Sequence, residues 1–162
     1  ETVRAAPPRS KRTAPVGLER QIMRLLVAHP VLAAELDQAA LDMAAHFAPD
    51  HADMLVQLVP MSRDMGEHAN FATLAELLRS TGSDFDPLIA EIAAESESDV
   101  AVARVELAGA IRQTKMKVLK DELEQLVLAG LKDEQAQMRY RDLTLQQEQL
   151  RRQAQAEIMQ RG

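Results

Sequence analysis

Histidine and aspartate residues around position 50 are the first candidates for chemistry in this sequence. His46 and His51 stand on either side of Asp50, with Asp53 close by, and imidazole and carboxylate groups are ordinary ligands of divalent metals. Their spacing matches neither the HExxH pattern of metalloproteases nor a zinc-finger pattern, and Pro49 separates the two histidines. We therefore predict no metal site, and surface or loop positions for all the histidines.

Two acidic stretches and the missing reactive groups bear on whether the chain is an enzyme. Asp84-Phe85-Asp86 and residues 95–99 lack the twelve-residue calcium-binding loop with its central glycine, so we interpret them as helix caps and solvated loops. The sequence has no cysteine, no glycine-rich phosphate-binding loop and no Gly-x-Ser-x-Gly motif. We therefore predict no catalytic residue, no cofactor and no enzymatic activity in this fragment.

A group of basic residues near the N-terminus is a candidate for binding rather than for catalysis. Arg20 and Arg24 are four residues apart, which places them on one face of a predicted helix, and Arg9, Lys11 and Arg12 precede them. Guanidinium groups in this arrangement bind carboxylates or phosphates of a partner. The alternative is a solvated helix face beside a basic linker, which is the usual role of a charged run.

The composition predicts that helices position these groups. Three Phe and one Tyr are the only aromatic residues, so the core must consist mainly of Leu, Ala, Met, Val and Ile. No segment has the sustained alternation of apolar and polar residues that is typical of a strand. We predict an all-α fold, in which a helical bundle subdomain is followed by a long helix and a C-terminal antiparallel helical hairpin.

The charge is distributed unevenly along the chain and limits the possible partners. The formal net charge is −6, and residues 25–100 contain fourteen acidic residues but only two basic ones. This acidic middle argues against direct binding of nucleic acid, because neutralising phosphates requires clustered Lys and Arg. The sequence has no apolar run of about 18–20 residues that could span a membrane, and no signal peptide or initiator methionine. We expect an excised fragment of a longer protein, with a processed chain as the alternative. The missing cysteines are compatible with the cytoplasm.

Proline positions and composition divide the chain into three predicted segments. Residues 1–16 form a flexible, basic, proline-rich linker, residues 17–110 form the helical bundle subdomain, and residues 111–162 form the C-terminal helical hairpin subdomain. The segment from 99 to 130 contains no proline and can be one long helix. Because Gly109 and a polar stretch at 113–115 weaken it, two helices that meet there in a hinge are the alternative.

The bundle has several candidate signals for helix ends. Asp50, Asn70 and either Asp84 or Asp86 are suitable N-caps, because a short polar side chain can accept a hydrogen bond from the first turn of a helix. Pro60 lies inside an apolar helical run and should kink or end that helix.

The final helix has a narrow apolar stripe and a polar remainder. After a left-handed cap at Gly130, this helix should begin at Asp133 or Glu134 and run to about Met159. Its stripe should pack against the preceding helix through Ala136, Tyr140, Leu143, Gln147, Leu150, Ala154 and either Glu157 or Ile158. Met138 and Leu145 fall outside this seam among many Gln and Arg residues, which favours docking of a partner helix over a merely solvated face.

Three short motifs carry a resemblance to a known family. They are Leu-Leu-Val-Ala-His-Pro at 25–30, Gly-Leu-Lys-Asp-Glu at 130–134 after Glu122-Leu123, and Thr-Leu-Gln-Gln-Glu at 144–148. Together with the order of linker, bundle, long helix and hairpin, they resemble the C-terminal, helicase-binding domain of bacterial primase of the DnaG type. The resemblance covers roughly residues 17–155.

The resemblance implies a non-catalytic module of the replication machinery. Such a domain binds the N-terminal domains of the hexameric replicative helicase and recruits primase for RNA primer synthesis. The nucleotidyltransferase active site, zinc and magnesium are expected only in absent upstream domains. Gln147 and Arg151 are similar to the key glutamine and basic residue of the family's hairpin. The helicase-binding residues implied in this way are Tyr140, Thr144, Leu145, Gln147, Glu148, Arg151 and Arg152.

The resemblance implies a second partner and leaves one alternative function open. In this family the bundle can receive the acidic tail of single-stranded-DNA-binding protein on a basic patch, for which Arg20 and Arg24 are the candidates. Pro15 and Leu18 depart from the polar or basic residues expected beside them. The alternative function is a non-enzymatic helical scaffolding or regulatory module that acts by self-association.

Overall fold

The computed structural model describes residues 14–80, 85–95 and 99–161, and all the regular elements in these ranges are helical, which confirms the all-α prediction. The α-helices are α1 (Ala14–Ala28), α2 (Pro30–Ala34), α3 (Gln38–Ala44), α4 (Pro49–Met65), α5 (Phe71–Arg79), α6 (Asp86–Ala93), α7 (Val100–Leu128) and α8 (Glu134–Arg161). A 3₁₀ turn at Gly66–His68 follows α4. None of the described helices is both long and apolar enough to cross a membrane.

Helix α1 lies at the centre of the bundle. It packs against α2, α4, α5, α6 and α7. Apolar side chains on several sides of this helix are buried: Ile22, Met23, Leu25, Leu26 and Val27. A helix that is apolar on most of its surface is stable only when other elements surround it, and the short neighbouring helices provide that surrounding.

Helix α7 passes from the bundle into the hairpin as one uninterrupted helix, so the first of the two alternatives for this region is confirmed. Ala103, Leu107 and Ala110 belong to the bundle core, and α3 and α8 pack beside the helix as well. At the junction, the buried Thr114 hydroxyl donates to the Ala110 carbonyl over 2.8 Å. The buried hydroxyl thus has a hydrogen-bond partner, and the helix is not broken. The proposed boundary at 110/111 falls inside α7, and the division into two subdomains stays a prediction.

Helices α7 and α8 form an antiparallel hairpin with the predicted seam. The predicted seam residues from Ala136 to Ala154 are buried or half-buried. Of the two alternatives at the last position, Glu157 is half-buried and Ile158 is exposed, as is every other described side chain of α8. The turn has Gly130 at φ +90° and Leu131 at φ +50°. The Asp133 carboxylate accepts a hydrogen bond from the Ala136 N–H over 2.7 Å, as expected of a residue that starts the helix.

The candidate caps of the bundle have different outcomes. Asn70 caps α5, because its side-chain oxygen accepts a hydrogen bond from the Thr73 N–H over 2.9 Å. The prediction for Asp86 is wrong, since Asp86 is the first residue of α6 and Phe85 precedes it without a side-chain cap. Asp84 lies outside the described residues. Helix α4 continues through Pro60 to Met65, so this proline does not end the helix.

The start of α4 is capped by a residue from another helix. The prediction for Asp50 is wrong, because Pro49 already occupies the first helical position and Ala48 is the N-cap. The carboxylate of Glu19, from α1, accepts the Ala48 N–H over 3.2 Å and lies 2.7 Å from His51 Nδ1. Glu19 is only 7% exposed, so its negative charge is buried at the positive end of the α4 dipole.

We expect Glu19→Ala to lower the free energy of unfolding by about 1 kcal/mol, because it removes a helix cap and the acceptor of the part-buried hydrogen bond from the Ala48 N–H. Urea denaturation followed by circular dichroism measures this change. Glu124→Ala, at an exposed position of α7, is the matched control and should have little effect. A loss no larger than that of the control would contradict the capping role.

Candidate functional site

The side of α8 that faces away from α7 carries a row of apolar side chains. Met138, Leu145, Arg152 and Met159 are seven residues apart, about 10.5 Å per step along the helix, and we call them the outer stripe. Met138 and Leu145 are each 59% exposed and Met159 is 82% exposed. A solvated helix would carry polar side chains opposite its seam, so three apolar residues there indicate a surface that another helix can cover.

Five of the predicted helicase-binding residues share this exposed side of α8. Their spacing follows the helix repeat, so they form one continuous face, with Glu148 near its centre and Leu145 of the outer stripe at one edge. Thr144 is exposed, but its hydroxyl donates to the Tyr140 carbonyl over 2.8 Å and is therefore partly engaged within the helix. These five exposed residues are Thr144, Leu145, Glu148, Arg151 and Arg152.

The other two predicted residues lie beside this face, at the edge of the seam. Tyr140 and Gln147 are half-buried in the seam with α7, together with Leu143 and Leu150. The predicted residues therefore differ in exposure, and the helicase-binding role of Tyr140 and Gln147 stays a prediction.

Two ion pairs fix the position of α8 along α7. Near the turn, Arg139 donates to Glu122 over 3.0 Å. Near the other end of α8, the guanidinium of Arg112 donates to Glu157 over 2.6 Å, and the Arg112 side chain is only 14% exposed. The partly buried pair should contribute more than the exposed one, because solvent screens it less. The outer stripe therefore belongs to a helix that is joined to α7 near both of its ends.

The second predicted site, Arg20 and Arg24, is occupied by side chains of the same molecule. Arg20 donates to Glu91 over 2.5 Å, and Arg24 donates to Glu95 over 2.9 Å and lies 3.5 Å from Glu91. The hydrogen bond from Arg20 lowers the pKa of Glu91, with a further contribution from Arg24, so this carboxylate is ionised at neutral pH. The two arginines do lie on one face of α1, but that face is not an unopposed cationic patch.

The partner glutamates were missed by the analysis of the sequence. Glu91 and Glu95 are 71 residues beyond their arginines, so no local spacing rule connects them. One signal was present: Glu91 and Glu95 are four residues apart in the sequence, as Arg20 and Arg24 are. Glu91 lies on α6 and Glu95 just beyond its end, and the equal spacing allows the opposite charges to pair.

The histidines form no site in the described part of the chain. No group of three or more His, Cys, Asp or Glu residues there is arranged to hold a metal ion. His51 contacts Glu19 in the capping contact of α4, whereas His46 is exposed beside the cleft between α3 and the hairpin. Burial lowers the pKa of His29, while the charge of Asp99 acts in the opposite direction.

Comparison with known proteins gives one result. A protein-family model described as "DNA primase DnaG DnaB-binding" matches residues 19–143. The matched range includes the bundle, all of α7 and the first part of α8, and it ends before the exposed face that begins at Thr144. Neither the curated proteins nor the solved structures gave a match.

We expect Gln147→Leu to raise the free energy of unfolding by about 1 kcal/mol, because it replaces a polar residue in an otherwise largely apolar seam. Thermal unfolding followed by circular dichroism measures the change. Gln149→Leu, at an exposed position of the same helix, is the control and should not stabilise the hairpin. Equal effects of the two substitutions would contradict the placement of Gln147 in the seam.

Proposed function

This chain belongs to the family of DnaB-binding domains of the DNA primase DnaG, and we propose that the exposed face of α8 is where it docks on the N-terminal domains of the hexameric replicative helicase. DnaB binding is the function of the family. The residue-level site is our proposal. It rests on one observation above all, the apolar outer stripe on a helix whose other side is already packed against α7.

The chemistry of this face suits a helix-to-helix contact. Leu145 supplies an apolar anchor that a partner can bury, and Arg151 and Arg152 supply charged donors for carboxylates or carbonyls beside it. Glu148 lies on the same face and can accept from a basic residue of the partner. In this proposal Tyr140 and Gln147 lie beside this face, and their helicase-binding role stays a prediction.

We further propose that the chain is part of a bacterial DNA primase that works in the cytoplasm at the replication fork. The family is a DnaB-binding, non-catalytic part of a primase, so primer synthesis and its zinc and magnesium would belong to other parts of the parent protein. Direct contact with nucleic acid is not expected of this part, because acidic residues dominate its middle.

A second proposed partner is the acidic tail of single-stranded-DNA-binding protein, on the face of α1 that carries Arg20 and Arg24. Both guanidinium groups are partly exposed, at 49% and 39%, so a peptide can reach them. Their existing partners are two carboxylates, the same chemical group that an acidic tail presents.

We expect Leu145→Glu to weaken binding to the cognate helicase N-terminal domain at least about tenfold, because the contact loses a buried apolar side chain and must desolvate a carboxylate. Isothermal titration calorimetry with the purified domain measures the affinity. Leu145 is exposed in this chain, so the substitution should leave its thermal unfolding unchanged.

Val56→Glu is the matched control for this experiment. Val56 is an apolar residue of α4 that is 73% exposed, so the same change of charge and polarity is made on the bundle. It should bind the helicase as the unmodified chain does. Weakening by Val56→Glu and not by Leu145→Glu would place the contact on the bundle. If Leu145→Glu instead disrupts a dimer seen by light scattering, self-association is the function of this face.

A further inference from the structure

Helix α1 and the C-terminal end of α6 present complementary charges. Arg20 and Arg24 are separated by one turn of α1, Glu91 lies on α6 and Glu95 just beyond its end, and each arginine contacts a glutamate. Glu91 also approaches Arg24 to 3.5 Å, so its two carboxylate oxygens serve both arginines. An acidic peptide bound at this face would place its carboxylates on the same guanidinium groups, which here pair with Glu91 and Glu95.

From this geometry we propose that Glu91 and Glu95 act as a built-in competitor at the Arg20–Arg24 face, so that an acidic peptide can bind only by displacing them. The inference rests on the acidic-tail function proposed above and concerns the regulation of that same site. The competitor and the ligand use the same chemistry, a carboxylate that accepts from guanidinium N–H groups, and both cannot occupy the same donors.

A third carboxylate strengthens the competition. The groove between α1 and α6 is lined by Arg20, Arg24, Glu91 and also by Glu106 of α7. With Glu95 included, three carboxylates face two guanidinium groups, so an approaching anionic peptide meets an excess of negative charge. This excess opposes the association of an acidic ligand as well as its final contact with the arginines.

The ion pairs between the two arginines and the two glutamates are nevertheless weak enough for an acidic peptide to replace them. All four paired side chains are partly exposed, between 35% and 49%. Solvent screens ion pairs of this kind, and each contributes little to stability, so a peptide with several carboxylates can displace them. The Arg20–Arg24 face would therefore bind peptides with many carboxylates and not peptides with few. In this way the competitor makes binding selective for strongly acidic peptides.

The test is a titration of the whole chain with a fluorescein-labelled hexa-aspartate peptide, followed by fluorescence anisotropy at low ionic strength, with hexa-asparagine as the uncharged probe. We expect Glu91→Gln to raise the affinity for hexa-aspartate roughly fivefold, since it removes the carboxylate shared by both arginines. Glu76→Gln is the matched control, because it makes the same change of net charge on α5, where Glu76 is paired with Arg79. Its effect should be less than about twofold, because the Glu76 carboxylate pairs with Arg79 and not with Arg20 or Arg24.

A further substitution separates local competition from a general change of charge. Arg20→Gln in the Glu91→Gln background should abolish the gain in affinity. Suppose the unmodified chain binds hexa-aspartate through Arg20 and Arg24, but Glu91→Gln raises the affinity no more than Glu76→Gln does. This result would overturn the proposed competition and leave the acidic-tail function standing. If neither the unmodified chain nor Glu91→Gln binds, both are overturned. Equal binding of hexa-asparagine would also overturn both, since the contact would not be ionic.

Discussion

The continuity of α7 is the constraint on which the rest of the structure depends. The first half of this helix is a core element of the bundle, where Ala103 and Leu107 are buried, and its second half provides the surface on which α8 packs. Because backbone hydrogen bonds continue through the junction, the bundle sets the direction of the hairpin. Gly109 costs about 1 kcal/mol of helix propensity relative to Ala, yet the helix persists, since packing on both sides of the junction outweighs this cost.

This constraint leaves α8 with a divided surface. One side is used to hold α7, through the seam and the Arg112–Glu157 and Arg139–Glu122 ion pairs. The other side is exposed and still carries three apolar residues of the outer stripe, Met138, Leu145 and Met159. A helix that is stabilised on one side and apolar on the other can bind a partner without first having to fold, so little binding energy is lost to ordering. This is the physical basis for assigning helicase docking to α8.

Features that depend on neighbouring residues could be predicted from the sequence, and features that depend on distant ones could not. The seam followed from the heptad spacing of α8, and the Asn70 cap followed from its local sequence, because both are properties of a single helix. Asp50 was a reasonable cap by the same rule, but Glu19 takes that place from 29 residues away. The Arg20–Arg24 face was correctly placed on one helix, and only the packing of α6 revealed that glutamates already occupy it.

The most direct test of the central claim is methyl NMR of the chain with ¹³C-labelled methionines, recorded as the helicase N-terminal domain is added. The eight methionines sample the bundle core and the outer stripe at once. Docking on the exposed face of α8 predicts that the signals of Met138 and Met159 shift or broaden, whereas those of the buried Met23 and Met54 do not change. A response of Met61 and Met65 on α4, with Met138 and Met159 unchanged, would contradict the assignment and move the contact to the bundle.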